Sequence, residues 1–434
     1  MKPPPFRLVS IAALVLVAAS IAPSAAAPDV DAAFKAFWAA RTPQDAAKIL
    51  PDLIKSGVTF AEALKRLKDG RPYGAAVAKG IVKFSYTAHG KEFFYSVNVP
   101  DSYDPDRRYQ VRFQLHGGVS RESNRPRGDG GIGALAGADQ IYILPTSWVD
   151  AMWWNTSQLD NLRTILDTVK RTYNVDENRV VVSGVSDGGT GAYYMAMKDT
   201  TPYASFLPLN GYIMVLRSED LAVGDVFPNN LRNKPLFVVN GGRDPLYPAA
   251  IVGPSVLHLR DKGVEVVYQP QPNAVHNTAW WPEVKDFFEA FVRSHPRTPI
   301  PDQLTWETDG SPIDNRAHWL VIDRLAPVPR NPPALDDVNA LTNGATMFGR
   351  TRPSGRVDLL RSGNTVTATT RGVAEFTLLV SPAAFDLAQP LKVVANGRTA
   401  FEARVEPNLA TLLKWAARDN DRTMLFAAEL HIKP

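Results

Sequence analysis

The chain has 434 residues, 45% of them hydrophobic and 21% charged, with 48 basic residues against 44 acidic ones and no cysteine. That apolar fraction excludes a disordered chain, and the length exceeds what a single core ordinarily holds, so two or three domains are expected. Without cysteine there are no disulfides, thiol nucleophiles, Cys-ligated zinc sites or iron–sulfur clusters, and a net charge of +4 gives no basic surface that would imply nucleic acid as a partner.

Residues 1–27 have the three parts of a secretory signal peptide: a basic start containing Lys2 and Arg7, an apolar run from Leu8 to Ala22, and the small residues Ser24 to Ala27 before a cut after Ala27. The run falls short of the roughly 20 residues a membrane span needs, and no other stretch is long and apolar enough. The expectation is a protein that is secreted or periplasmic, with no membrane anchor after cleavage.

Residues 28–82 read as a helical N-terminal segment, because Phe34, Phe37 and Trp38, then Phe60, Ala63, Leu64 and Leu67, recur at helical spacing until Asp69-Gly70-Arg71-Pro72 stops the run. Residues 83–296 alternate short strand patterns with helical ones. Strands are expected at 92–99, 109–115, 141–144, 179–183, 205–209, 235–239 and 264–268, and helices at 159–173, 189–197, 250–262 and 282–294. Continuous apolar strands such as Val180-Val181-Val182 are what a mostly parallel sheet covered on both faces requires, so the fold class is α/β.

Residues 297–346 form a Pro-rich connector around a short strand pattern at 318–322, with Trp306, Trp319 and Leu320 apolar enough to pack on a neighbour. Residues 347–434 read as a small β-rich domain: six strand patterns, a hairpin signal at Asn396-Gly397, and one helix at 409–418.

The segment that carries chemistry is Gly184-Val185-Ser186-Asp187-Gly188, between the strand Val180-Val181-Val182 and a helical run. Glycines on either side of Ser186 permit the sharp turn that exposes a nucleophilic hydroxyl at a helix N-terminus. A serine needs a base to take its proton and an acid to orient that base. Asp244 follows the strand at 235–239, and His276 follows the strand at 264–268, so acid and base come in the order this arrangement demands. Of the seven histidines, His89 precedes the sheet, His258 lies in a helix, His295 ends one, and His318 and His431 fall beyond the α/β region. His276 alone fits the base, and His116 reads as a residue that orients a loop.

Acyl transfer also needs donors for the oxyanion of the tetrahedral intermediate. The strand at 109–115 runs into His116-Gly117-Gly118-Val119, so one donor is expected at the amide of Gly118 or Val119 and the other at the amide of Asp187. Arg121 sits with Arg125 and Arg127 in a Gly-rich loop expected to reach over the site. Trp148, Trp153, Trp154, Trp280 and Trp281 cluster near the site loops and are read as substrate-binding residues, forming an aromatic acyl pocket or a sugar platform, with core packing as the alternative for some of them. No His-Glu-x-x-His, acidic calcium loop, Walker or dinucleotide glycine motif is found, so no metal and no cofactor is assigned.

At His116-Gly117-Gly118, Gly184–Gly188, Gly242-Arg243-Asp244 and His276-Asn277-Thr278 the chain resembles the α/β-hydrolase superfamily. The similarity is to its secreted branch of feruloyl and acetyl-xylan esterases, polyhydroxybutyrate-depolymerase-like esterases and prolyl-oligopeptidase-like peptidases, over about half of the chain. The resemblance implies a central, mostly parallel sheet and Ser186, Asp244 and His276 as nucleophile, acid and base. Val119 stands where lipase-like relatives carry a third glycine. The expected function is a secreted serine esterase acting on an ester substrate derived from plant polysaccharide or polyester. A prolyl-oligopeptidase-like peptidase using the same triad is the first alternative, although the sequence lacks a repeated-strand propeller. A non-catalytic extracellular binding protein on a hydrolase fold is the second, and it has no need of an intact triad.

Overall fold

A computed structural model describes Met1 and residues 29–217, 226–328 and 353–434. The expected signal peptide and the proline run up to Pro333 lie largely outside the described residues. Among the described residues no helix is long and apolar enough to cross a membrane.

The centre of the molecule is an eight-stranded sheet. Its strands are β1 (Gly80–Ala88), β2 (Lys91–Val99), β3 (Tyr109–Leu115), β4 (Ile141–Pro145), β5 (Val175–Val185), β6 (Ser205–Leu209), β7 (Leu236–Gly241) and β8 (Val266–Gln271), in the order β1-β2-β4-β3-β5-β6-β7-β8. β2 runs antiparallel to both its neighbours, and every pairing from β4 to β8 is parallel. β1 was missed in the sequence; its strict alternation of half-buried and exposed residues is that of a two-sided edge strand.

Alternation along the strands sends side chains to two cores. Val180, Val182, Leu236 and Val238 pack with α4 (Thr156–Thr172), α5 (Asp187–Lys198) and α6 (Ala249–Asp261), whereas Val181, Phe237 and Val239 pack with α7 (Trp281–Ser294) on the other face. A mostly parallel sheet covered on both faces, with Ser186 at the turn from β5 into α5, is an α/β-hydrolase fold.

The N-terminal helices are α1 (Val30–Ala39), α2 (Pro43–Lys55) and α3 (Phe60–Asp69). Thr42 and Thr59 cap the second and third by accepting from Asp45 N and Glu62 N at 3.0 and 3.2 Å. Their apolar faces share a core with α8 (Leu409–Asp419), including Phe34, Phe37, Leu53, Leu67, Leu412 and Leu413. The segment is therefore completed by the far end of the chain.

The connector also takes a different role. Its described part supplies β9 (Gln303–Thr308), β10 (Arg316–Ala317) and β11 (Leu320–Leu325) to the β-rich body, where β9 pairs with β12 (Gly355–Ser362) and β11 with β14 (Val373–Val380). The remaining strands are β13 (Thr365–Arg371), β15 (Leu391–Ala395), β16 (Arg398–Ala403) and β17 (Ala428–Ile432), giving a five-stranded and a four-stranded sheet. Asn396 and Gly397 have φ of 49° and 80°, as the turn between β15 and β16 requires.

Buried ion pairs and hydrogen bonds join this body to β5, to the end of α5 and to the segment after α7. Arg422 reaches Glu177 at 2.6 and 2.9 Å and Asn174 at 3.0 Å, Arg297 reaches Asp421 at 2.8 Å and Asn178 at 3.0 Å, and Lys198 reaches Asp314 at 2.5 Å.

Candidate active site

Ser186 stands between β5 and α5 with φ 59° and ψ −121°, a conformation that a non-glycine residue adopts only where the surroundings impose it. Two tight approaches impose it: a Cβ on Gly184 would stand 2.1 Å from the Gly188 carbonyl oxygen, and one on Gly188 would stand 2.2 Å from that of Leu115. Only glycine fits at either end of the elbow, so the serine between them is turned outward.

His276 Nε2 lies 2.9 Å from Ser186 Oγ, and its Nδ1 lies 2.7 Å from Asp244 Oδ2. A carboxylate only accepts, so the ring proton sits on Nδ1 and leaves Nε2 to accept from the serine. The other carboxylate oxygen of Asp244 accepts from the amides of Leu246 and Tyr247 at 2.8 and 3.0 Å, and the side chain is fully buried. Both of its oxygens are thus committed, one to the loop and one to the imidazole.

Two asparagines missed in the sequence hold these loops. Asn210, at φ 48° after β6, donates its amide to the Asn277 carbonyl at 2.7 Å, and Asn240 donates to Gly211 and Tyr247 carbonyls at 3.1 and 3.3 Å. The Asn210-Gly211 pair directly after an apolar strand was the available signal. Tyr247 lies edge-on to His276 at 5.8 Å between centroids and tilts against Tyr212 at 6.0 Å; both tyrosines are half-buried. Burial, and then the carboxylates of Asp187 and Asp244, raise the Tyr247 phenol above its ordinary pKa.

The turn after β3 lies directly on Ser186: a Cβ on Gly117 would meet Ser186 Cβ at 2.8 Å. Ser147 N and Arg121 Nη2 both donate to His116 Nε2 at 3.0 Å, so the His116 proton is on Nδ1, which donates to the Gly117 carbonyl at 2.8 Å. Burial above all, and then the Arg121 and Arg127 charges, push the His116 pKa down to about 4. Since a trans peptide points its C=O and N–H in opposite directions, this grip on Gly117 also fixes where the Gly118 N–H points.

Of the two alternatives at this turn, the Val119 amide already donates to Asp187 Oδ2 at 3.0 Å, while no acceptor among the described residues takes the Gly118 amide. The Asp187 amide is the first of its helix and has no carbonyl one turn earlier to bond.

The five tryptophans are core residues in the structure and do not form an open acyl pocket or sugar platform. Trp153 and Trp154 belong to the core under α4 and α5, Trp280 and Trp281 to the core under α7, and Trp148 packs edge-on against Phe93. Large apolar rings near a site gain more from burial beneath it than from facing water. Trp153 nevertheless supports the site, since its indole donates to the His116 carbonyl at 2.8 Å. Arg121 is tied to the Ser147 carbonyl at 2.9 Å and to His116, so it braces the turn that it was expected to overhang.

No family model matches the chain. A probable feruloyl esterase C of Aspergillus niger is 27% identical over 133 residues, which are 29% of this chain and 48% of the relative. Feruloyl esterase C of Emericella nidulans is 28% identical over 130 residues, 28% of this chain and 47% of the relative. Both fit an esterase branch of the α/β-hydrolase superfamily. The chain spans about half the length of the curated relatives it matches. Among solved structures, a thermostable esterase aligns at 21% identity and a TM-score of 0.40, covering 50% of this chain and 63% of that one. A ferulic acid esterase aligns at 15% identity and a TM-score of 0.39, covering 49% and 97%. The fold rests on the sheet and the elbow, not on these scores.

Proposed function

We propose that the chain is a serine carboxylic ester hydrolase that works through an acyl-enzyme. The observation that carries this reading is the unbroken hydrogen-bonded relay from Ser186 through His276 to Asp244 at a strained, outward-facing elbow. Ser186 Oγ attacks the ester carbonyl carbon while His276 Nε2 takes its proton, and Asp244 holds the imidazolium that forms. The amides of Gly118 and Asp187 stabilise the oxyanion. Collapse expels the alcohol, which leaves with the proton from His276. A water molecule deprotonated by His276 then attacks the acyl carbon, releasing the acid and restoring Ser186.

The half-buried Tyr247 beside His276, with Tyr212 against it, offers an aromatic wall, and the names of the two curated relatives point to the same kind of acyl group. The favoured substrates are aromatic acyl esters of plant-polysaccharide origin. The reading extends to export through residues 1–27, and a mature N-terminus at Pro28 in protein recovered from outside the cytoplasm tests that part.

The central test is Ser186→Ala. It is expected to lower turnover of 4-nitrophenyl acetate and methyl ferulate by about 10³-fold or more, and to abolish labelling by a fluorophosphonate, with the thermal midpoint little changed. A folded Ser186→Ala protein that keeps its activity defeats the reading. Faster cleavage of dipeptide anilides than of either ester reverses it in favour of a peptidase.

A further inference from the structure

A cavity of about 550 Å³ opens where the start of α2, the β1–β2 hairpin, α4, β10 and the end of α8 converge. Ser186, Asp244 and His276 are not among the residues that line it, so it is separate from the catalytic cluster. Its size suits a small organic ligand, for which pockets of roughly 300–1,000 Å³ are usual.

The walls are charged, and the charges do not cancel. Each carboxylate of the lining already has a cationic or imidazole partner: Asp199 with Arg163 at 2.7 Å, Asp419 with Arg316 at 2.6 and 2.7 Å, and Asp421 with Arg297 at 2.8 Å. Likewise Asp167 is held by Arg171 at 2.7 Å, and Asp160 by His89 at 3.1 Å. Arg41 and Arg418 also line the cavity, and neither has an ion-pair partner among the described residues. Arg418 lies over the Trp415 ring at 4.9 Å, where it feels the charges of Arg316 and Arg163 as well as those of Asp419 and Asp199. Three guanidiniums therefore face two carboxylates on this wall, and Arg41 adds a further positive charge at the rim.

We infer that the cavity binds a carboxylate-bearing small molecule, a sugar acid of about disaccharide size, with Arg418 and Arg41 as its anion receptors. A guanidinium receives a carboxylate through two parallel N–H···O bonds, the geometry both arginines leave unused. Inorganic phosphate would satisfy the charge but fill only a small part of the space. Tyr86, Thr164 and Thr168 also line the cavity; the Tyr86 and Thr168 hydroxyls donate to Asn161 Oδ1 at 2.8 Å and to the Thr164 carbonyl at 2.9 Å, so toward a polyol body they offer oxygen lone pairs that accept.

The test is calorimetric titration of the full chain with digalacturonate, cellobiose and inorganic phosphate. Digalacturonate is expected to bind, cellobiose not to bind, and phosphate to bind at least tenfold more weakly than digalacturonate. Arg41→Gln/Arg418→Gln should weaken digalacturonate binding at least tenfold with the unfolding midpoint retained, because neither side chain is paired. Ser186→Ala should leave that binding unchanged, which keeps this result distinct from the fate of the esterase reading. Absence of digalacturonate binding, equal affinity for cellobiose, equal affinity for phosphate, or full affinity in the double variant overturns the inference.

Discussion

The carboxylate of Asp187 accepts a hydrogen bond from the Val119 amide at 3.0 Å, so the residue after Ser186 fastens the turn that lies over it. The elbow and this turn follow strands adjacent in the sheet, β5 and β3. Packing alone would leave the glycines of that turn free to rotate; the Asp187 bond and the His116 ring fix them on either side of Gly118.

Loss of this fastening should affect the chemical step more than substrate binding. Asp187→Ala is expected to lower kcat for 4-nitrophenyl acetate by about tenfold or more with KM changed by less than about threefold, because the oxyanion forms only in the transition state. Asp187→Asn retains an acceptor oxygen and should recover most of the loss. Wild-type kcat in the alanine variant would show that the bond is incidental.

His116 makes stability depend on pH. Its folded pKa is lowered to about 4 from an ordinary 6.5. As pH falls from about 6.5 towards 4, the unfolded chain takes up a proton that the folded chain refuses, and stability declines; below that window both forms are protonated and the loss stops. Urea unfolding at pH 7 and pH 4.5 should show a decrease in the wild type exceeding that in His116→Gln by on the order of 1–3 kcal/mol. Parallel pH dependences in the two proteins would contradict the neutral, buried imidazole.

Two glycines of the site should respond unequally to alanine. Gly184→Ala drives a Cβ to 2.1 Å from a backbone oxygen and is expected to destabilise by about 3 kcal/mol or prevent folding. Gly118, at φ 69°, has open space around its Cβ position, so Gly118→Ala should cost only about 1–2 kcal/mol of backbone strain and leave the fold intact. Denaturant midpoints compare them directly.

Arg422 is the clearest test of how the β-rich body is docked. Arg422→Met leaves Glu177 buried without its bidentate partner, and about 3–5 kcal/mol of destabilisation is expected in thermal or urea unfolding. Adding Glu177→Gln should restore part of it, since the uncompensated charge is the costly element. Additive effects of the two substitutions would argue against a coupled pair.

Much of this molecule is legible locally. Tyr109–Leu115 and Ser205–Leu209 are strands with the bounds read from the sequence, because short apolar runs between turn residues can hardly do otherwise when helices cover both faces. The elbow is legible for a similar reason: glycines flanking a serine between strand and helix specify a backbone path without reference to the rest of the chain. The order in which such a sheet delivers its loops points to Asp244 and His276, and the structure places His276 within hydrogen-bond distance of both Asp244 and Ser186.

What the sequence could not decide depends on which surfaces meet. Nothing near Phe34 or Leu53 says that their partner is Leu412, more than 350 residues away, and nothing in the proline-rich stretch says that β9 pairs with β12 across intervening chain. The tryptophans are close to the site in sequence yet lie beneath it, because proximity along the chain does not fix the side of a loop to which a ring turns. The Val119 amide is engaged by the Asp187 carboxylate, a side chain contributed by a different strand–helix turn, and the sequence carries no sign of that bond. Sequence thus determined the local paths and the chemical groups, whose causes are short-range sterics and hydrophobic continuity. Only the tertiary structure decided the pairings, because burial and hydrogen-bond satisfaction are properties of both partners at once.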